Sequence, residues 1–316
     1  MNAFKRALCK FGAKEMFVEF LRKRMLFQIF LGILLYGLDQ SSLELVRLGA
    51  KNKFKKRLMK KYSYVIEQKR TRINAVQEIP ESTIWVCWYS GLDNAPVLVQ
   101  RCVQSIKDNF DNVVVLTDEN MHEYVSFPKF VMNKRKSGAI TPTHFSDLLR
   151  VELLSTYGGT WIDATVFVSS NDLPKAFKES EIFFFQNLKP GKNGDAVSLS
   201  SWYIQAKKEN EIMMLTREFL FEYWRKKNYL VDYFLFHHFM SISRDIYEKK
   251  GLVVPKFSNS VPHMLLLELF EKYDAKRFED ILKATPVHKL SYKSVPNSVS
   301  NTYYNYILSF NKNEKL

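Results

Sequence analysis

The segment HFSDLLRVELLSTYGGTWIDATVFV, residues 144–168, holds the side chains best placed to do chemistry. Asp147 and Arg150 stand three residues apart, so on a helix they share one face, with Asp147 in the first turn where the helix dipole favours a carboxylate. Phe145, Leu148, Leu149, Val151, Leu153 and Leu154 crowd the remaining faces, which predicts a helix buried on most sides. The charged pair is then either an intrahelical salt bridge worth roughly a few tenths of a kcal/mol or a binding pair turned toward a ligand. Asp163 falls near the middle of the apolar run TWIDATV, among Ile162, Ala164 and Val166. A carboxylate in such a strand is costly unless it meets a cation, hydrogen-bond donors or a ligand. Either Arg150 and nearby backbone satisfy it, or it serves a ligand at the carboxyl end of a sheet, where open α/β sheets bind theirs. A second cluster is Asp232 with His237 and His238 in VDYFLFHHFM. One helical turn beyond Asp232 lie Leu235 and Phe236, so no facing Asp/His pair follows from the spacing. The cluster reads as a helix cap with two packed histidines, or as the lining of an acceptor site.

Positioning these residues takes alternating strands and helices. Ile84–Tyr89 (IWVCWY) and Asn112–Thr117 (NVVVLT) read as strands on either side of a helix over Val97–Phe110. A short helix over Met121–Val125, a longer one over His144–Tyr157 and a strand over Trp161–Val168 follow, with Gly158-Gly159 supplying the left-handed end of the helix. Strands are predicted over Ile182–Phe185, Ser198–Gln205 and Val287–Lys293, and helices over Glu211–Lys227, Val231–Lys249 and Met264–Lys283. This alternation predicts an α/β body with a mostly parallel sheet. No GxGxxG follows a strand, and GxxxxGK[ST], HExxH and GxSxG are all missing from the sequence; GKNG at 191–194 reads as a loop.

SDLLR, YGG and WIDATV in this order, downstream of IWVCWYSGLDNAP, resemble the glycosyltransferases of family 32 and, more narrowly, the bacterial capsular polysaccharide synthesis proteins. The resemblance covers residues 79–190 and, loosely, the helical part beyond. It implies a GT-A fold, a nucleotide-sugar donor such as a UDP-sugar, and retaining transfer of a hexose to a hydroxyl acceptor. It also implies roles. Trp88 matches the aromatic that stacks on the donor's base. Asp147 and Arg150 match the SDxxR pair that holds the donor sugar's hydroxyls and offsets charge near its phosphate, a task suited to a planar guanidinium. Asp163 matches the first carboxylate of the DxD motif, which contacts the ribose and helps place a divalent ion, Mn²⁺ or Mg²⁺. The second carboxylate is replaced by Thr165, which puts direct metal ligation in question, because hard cations favour carboxylate and phosphate oxygens. In the C-terminal PVHKLSYK run, Lys289, Lys293 and His288 are the groups placed opposite the diphosphate, with His288 also a candidate metal ligand.

The 316 residues carry a formal charge of +14, from 47 Lys and Arg against 33 Asp and Glu. Residues 1–72 hold 18 of the cations and 5 of the anions, a net of +13, which leaves 29 against 28 for the rest. The chain therefore reads as a basic arm over 1–72 and a nearly neutral GT-A domain over 79–316. Phe4, Leu8, Phe11, Phe17, Phe20 and Leu21 alternate with cations over residues 3–24 as in a basic amphipathic helix. The apolar run Met25–Leu38 follows, 14 residues including Gln28 and short of the roughly 20 that span a bilayer. Together with KNKFKKRLMKK at 51–61, this composition fits the surface of an anionic membrane. A solvated helical arm is the plain alternative. Nucleic acid is not expected as a partner, since the body has no basic excess to extend a groove. Cys9, Cys87 and Cys102 form no disulfide or zinc pattern and suit a reducing compartment. The expected enzyme is cytoplasmic, peripheral on the inner face of the cell membrane, and adds sugar to a lipid-linked or growing glycan. Its rivals are a soluble transferase acting on protein and a nucleic-acid-binding protein with a silent body.

Overall fold

The computed structural model describes residues 20–68, 75–188, 197–293, 295–296 and 300–310. Most of the helix expected over 3–24, Cys9, the boundary at Arg72 and the GKNG loop lie outside them. The chain order is α1 (Leu26–Tyr36), α2 (Gln40–Lys61), α3 (Tyr64–Glu67), β1 (Ile84–Cys87), α4 (Val97–Lys107), β2 (Val113–Leu116), α5 (Lys129–Lys136) and α6 (Pro142–Thr156). There follow β3 (Gly159–Ile162), β4 (Val166–Val168), β5 (Ile182–Gln186), β6 (Leu199–Ala206), α7 (Glu211–Lys226), α8 (Leu235–Glu248), α9 (Met264–Leu267), α10 (Ala275–Ala284), β7 (Val287–Lys289) and α11 (Tyr303–Ser309).

The α/β class is as expected, with a central sheet in the order β2-β1-β3-β6-β5. The sheet is mixed rather than mostly parallel: β1 runs parallel to β2 and β3, while β6 runs antiparallel to β3 and β5. Alternation along each strand builds a core on either face. Trp85, Trp161 and Phe184 point into the layer of α6, α7 and α8, whereas Ile84, Val86, Ile162, Phe183 and Tyr203 point into the layer that includes Val99 and Val103 of α4. A third cluster, with Phe167, Leu265, Phe278, Leu290 and Tyr303, packs the C-terminal part beside α4.

The turn between α6 and β3 depends on two glycines. Gly158 and Gly159 have φ of 73° and 93°, and a Cβ on Gly159 would lie 2.4 Å from the carbonyl oxygen of Thr83. No side chain fits so close to a backbone neighbour, so YGG brings α6 hard against β1 and lets it feed directly into β3.

Four elements depart from the sequence reading. The strand expected over 161–168 is broken at Asp163–Thr165, where the Val166 N–H returns to the Asp163 carbonyl at 3.0 Å. This tight turn separates β3 from β4 and moves Asp163 from mid-strand to the carboxyl end of β3. The helix expected over Met264–Lys283 is two, because Asp274 starts α10 afresh by capping the Arg277 N–H at 2.7 Å. The helix expected from Val231 begins at Leu235. The strand expected over Val287–Lys293 stops at Lys289.

The N-terminal elements share the body's core. Phe54 and Leu58 of α2, together with Tyr62 and Val65, belong to the cluster that includes Tyr223 and Phe239. Tyr62 meets Phe239 edge to face at 5.4 Å, and Lys55 Nζ donates to Ser241 Oγ at 2.7 Å and Asp245 Oδ2 at 2.5 Å. Helix α1, by contrast, buries none of its residues. Phe27 (75% exposed), Phe30 (67%) and Leu34 (71%) stand in solvent. Among the described residues no helix is long and apolar enough to cross a membrane.

Candidate active site

Helix α6 carries the first half of the site. Thr141 caps it by accepting the His144 N–H at 3.3 Å, and Pro142 occupies the first turn, where no intrahelical donor is needed. Asp147 and Arg150 are both buried, and Asp147 Oδ1 accepts from Arg150 Nη1 at 2.7 Å. The second carboxylate oxygen lies 3.2 Å from His144 Nδ1. Because the Trp224 indole donates to His144 Nε2 at 3.0 Å, that nitrogen is an acceptor, and a neutral ring therefore carries its proton on Nδ1 and donates it to Asp147. Asp147 is thus held from both sides before any ligand arrives.

Arg150 reaches across to the sheet. Its guanidinium lies between the rings of Trp161 (4.8 Å) and Phe236 (5.4 Å), and Nη2 donates to Asp163 Oδ1 at 3.3 Å. Lysine could not fill a planar slot of this kind while serving two carboxylates. Asp163 also accepts from the Trp161 indole at 2.9 Å, the two residues sharing a face as i and i+2 at the strand end. Its other oxygen, Oδ2, accepts from Lys289 Nζ at 2.9 Å, and the same ammonium donates to Thr165 Oγ1 at 2.6 Å. Burial pushes the Asp163 carboxyl upward, yet the Lys289 and Arg150 charges and the Trp161 donor outweigh it and hold the group down at about 2. Asp163 keeps 29% of its side chain exposed and Lys289 keeps 19%. The cluster is therefore tied together at its base and open at its outer side.

The short strand pair β4/β7 brings Lys289 to this point, with Val166 opposite Lys289 and Phe167 opposite His288. The same pairing corrects the reading of His288. Neighbours on a strand face opposite ways, so His288 points into the third core, where its ring lies 6.0 Å from Phe167 and Nε2 lies 3.3 Å from Ser169 Oγ. Burial pushes its pKa down to about 3, and it does not share a site with Asp163. Lys293 lies beyond β7 and is exposed. Trp88 follows β1 directly and is partly buried, its ring edge-to-face with Tyr292 at 5.6 Å.

Asp232 makes the histidine contact that helical spacing could not supply. It lies in the loop ahead of α8, where Oδ2 is 3.3 Å from His238 Nε2 and 2.6 Å from Lys23 Nζ, and Oδ1 accepts the Phe234 N–H at 2.7 Å. This buried triad ties the N-terminal segment to the body. His237 faces the other way, toward Asp147 and Arg150. Burial lowers its pKa to about 4, with Arg150 adding to the shift and Asp147 opposing it. Phe234 packs against His237 at 5.2 Å and against the exposed Tyr233 at 5.0 Å, and Lys51 of α2 lies 5.9 Å from the Phe234 ring. One rim of the site is thus built next to α2, which pairs with α1 in an N-terminal helical hairpin.

The site accordingly joins Asp147, Arg150, Asp163, Thr165 and Lys289. His144 and Trp161 also belong to it; the sequence reading did not single them out, and the HxxD and WxD spacings are the signal that would have found them. The donor set does not fit a divalent ion: one carboxylate and one hydroxyl are already bridged by an ammonium. Among the described residues no cluster of three or more His, Cys, Asp or Glu could hold a metal.

Two curated relatives are similar over part of their lengths. The O-glycosyltransferase braB of Annulohypoxylon truncatum is 33% identical over 99 residues, 28% of this chain and 24% of that protein. The O-glycosyltransferase PaGT of Phomopsis amygdali is 24% identical over 168 residues, 47% of this chain and 40% of that protein. The chain thus spans less than half the length of either. Among solved structures, the PaToxG glycosyltransferase aligns at 14% identity over 74% of this chain and 95% of that one, with a TM-score of 0.33. The family described as capsular polysaccharide synthesis protein matches residues 38–307, from α2 to α11, and so takes in Asp147, Arg150, Asp163 and Lys289. With the match running over most of its length, the chain belongs to the capsular polysaccharide synthesis protein family.

Proposed function

We propose that the protein is a retaining glycosyltransferase of GT-A type that moves a hexose from a nucleotide-sugar, with UDP-sugars first in order, to a hydroxyl of a lipid-linked or growing surface polysaccharide. The observation that carries this reading is the cluster at the carboxyl end of β3, where buried Asp147 and Arg150 join Asp163 and Lys289, which stay partly exposed. Its family and its O-glycosyltransferase relatives support the reaction class.

Each residue has a task in that reaction. Asp147, fixed by His144 and Arg150, accepts hydrogen bonds from donor sugar hydroxyls. Arg150 and Lys289 offset the negative charge that grows on the diphosphate as the bond from the anomeric carbon to the phosphate oxygen breaks. The acceptor oxygen forms the new bond on the same face, and its proton passes to the departing phosphate oxygen, so no separate base is required. Trp88, at the end of β1, is suited to stacking on the base. Tyr233, Phe234 and His237 form the rim on which an acceptor would rest.

Helix α1 supports attachment to the cytoplasmic face of an anionic membrane. Its apolar residues are exposed, and α2 beside it carries a run of cations. A lipid-linked acceptor is confined to the leaflet, so holding the enzyme there raises the acceptor's effective concentration. The test is to incubate the full chain with a panel of nucleotide-sugars and measure nucleotide release. Release from one donor is expected; release from none sinks the proposal.

A further inference from the structure

A cation already spans the place where a DxD enzyme would hold its metal. Lys289 Nζ bridges Asp163 Oδ2 and Thr165 Oγ1 at 2.9 and 2.6 Å. Backbone register puts it there: β7 pairs with β4 so that Lys289 sits opposite Val166, and the Leu290 N–H donates to the Thr165 carbonyl at 2.9 Å. A divalent ion bound to the same two oxygens would lie about 2.0–2.6 Å from each, in contact range of the ammonium and close to Arg150. Three positive centres would then crowd around Asp163, with Asp147 already committed to Arg150, in a partly buried cluster where repulsion is poorly screened. An aspartate at 165 would have offset that charge. With threonine there, the hydroxyl suits a lysine donor, and the two departures from a metal site, Thr165 and Lys289, explain each other.

We propose that the Lys289 ammonium is the resident cation of the donor site, held by Asp163 and Thr165 in place of a divalent metal ion, so that the chain binds its donor's diphosphate without metal. This rests on the nucleotide-sugar reading and deepens it. An ammonium has three N–H donors. Asp163 and Thr165 take two, leaving a third for a phosphate oxygen at the open side of the cluster.

The test is calorimetric titration of UDP and of GDP into the full chain, in EDTA and in Mn²⁺. One nucleotide is expected to bind with a Kd that differs by less than about twofold between the two conditions. Lys289→Met is expected to weaken that binding by about tenfold or more, as loss of a charge-assisted contact does. The double variant Lys289→Ala/Thr165→Asp restores two carboxylates without the ammonium and is expected to bind only when Mn²⁺ is present. Wild-type binding that requires Mn²⁺ overturns this inference and leaves the nucleotide-sugar reading standing. So does undiminished binding by Lys289→Met in EDTA. If neither nucleotide binds in either condition and no donor in the panel releases nucleotide, the nucleotide-sugar reading falls and takes this inference with it.

Discussion

Around Asp163, each of four charges has a partner of opposite sign within 3.3 Å, and the aromatic rings of Trp161 and Phe236 enclose the guanidinium between them. On α1 none of the 11 residues is fully buried, and Phe27, Phe30 and Leu34 face solvent beside a lysine-rich helix. The first region has settled its electrostatics internally, so its geometry exists before a ligand arrives and little reorganisation is required on binding. The second leaves apolar side chains of α1 and several cations of α2, Lys56 and Lys60 among them, exposed, a combination suited to an external surface. Substitutions should therefore affect the two regions through different observables: chemistry and folding at the cluster, partition at the hairpin.

The largest effect is expected at Asp163. Asp163→Asn keeps the shape but removes the charge that anchors both Lys289 and Arg150, and donor turnover should fall by about 10²–10³-fold. Thermal stability should fall only modestly, by roughly 2 kcal/mol, the contribution of the ionised carboxylate, because Lys289 can turn to solvent and Arg150 retains Asp147. A loss of folding with no change in turnover per folded molecule would make Asp163 a structural carboxylate and erase the contrast. The hairpin should show the reverse. Exchanging Phe27, Phe30 and Leu34 together for Ser should lower affinity for anionic vesicles by about 100-fold, given roughly 1 kcal/mol for each large apolar side chain partly buried at a bilayer surface. Donor turnover and unfolding should change little, since these three side chains are mostly exposed in the fold. Unaltered vesicle flotation would remove α1 as the anchor.

The smallest contrast is in stability against pH, to which the body contributes through two buried histidines and Asp163. The folded pKa values of His237 (about 4) and His288 (about 3) lie below the roughly 6.5 of an unfolded histidine, so the stability they contribute is present above that pH and declines as pH falls toward 4 and 3. Asp163, held at about 2, adds stability that is present above the usual carboxylate pKa of about 4 and is lost as pH falls through 2, worth about 2 kcal/mol. Urea unfolding between pH 8 and 3 should therefore be flat at the top and fall below about pH 6.5. In Asp163→Asn the steepest acid portion should flatten.

Much of the site was legible because it is local. Asp147 and Arg150 meet through i, i+3 spacing on one helix, and YGG announces the turn that delivers β3. The break at Asp163 was not legible, since TWIDATVFV has strand composition throughout and only the antiparallel claims of β6 and β7 divide it. The direction of β6 was equally hidden. An apolar strand reads the same whether its neighbour runs with it or against it.

The sequence alone determined the α/β class, the basic N-terminal segment and the placing of Asp147 and Arg150 on one helix face, because each depends on composition or on neighbours a few residues apart. Tertiary structure decided that Lys289, 126 residues beyond Asp163, bridges it to Thr165 while adjacent His288 is turned into the core. It also decided that Asp232 reaches both His238 and Lys23 from outside the helix. Contacts at that range follow from strand register and the pleat, which set which of two neighbouring side chains faces the site and which is buried.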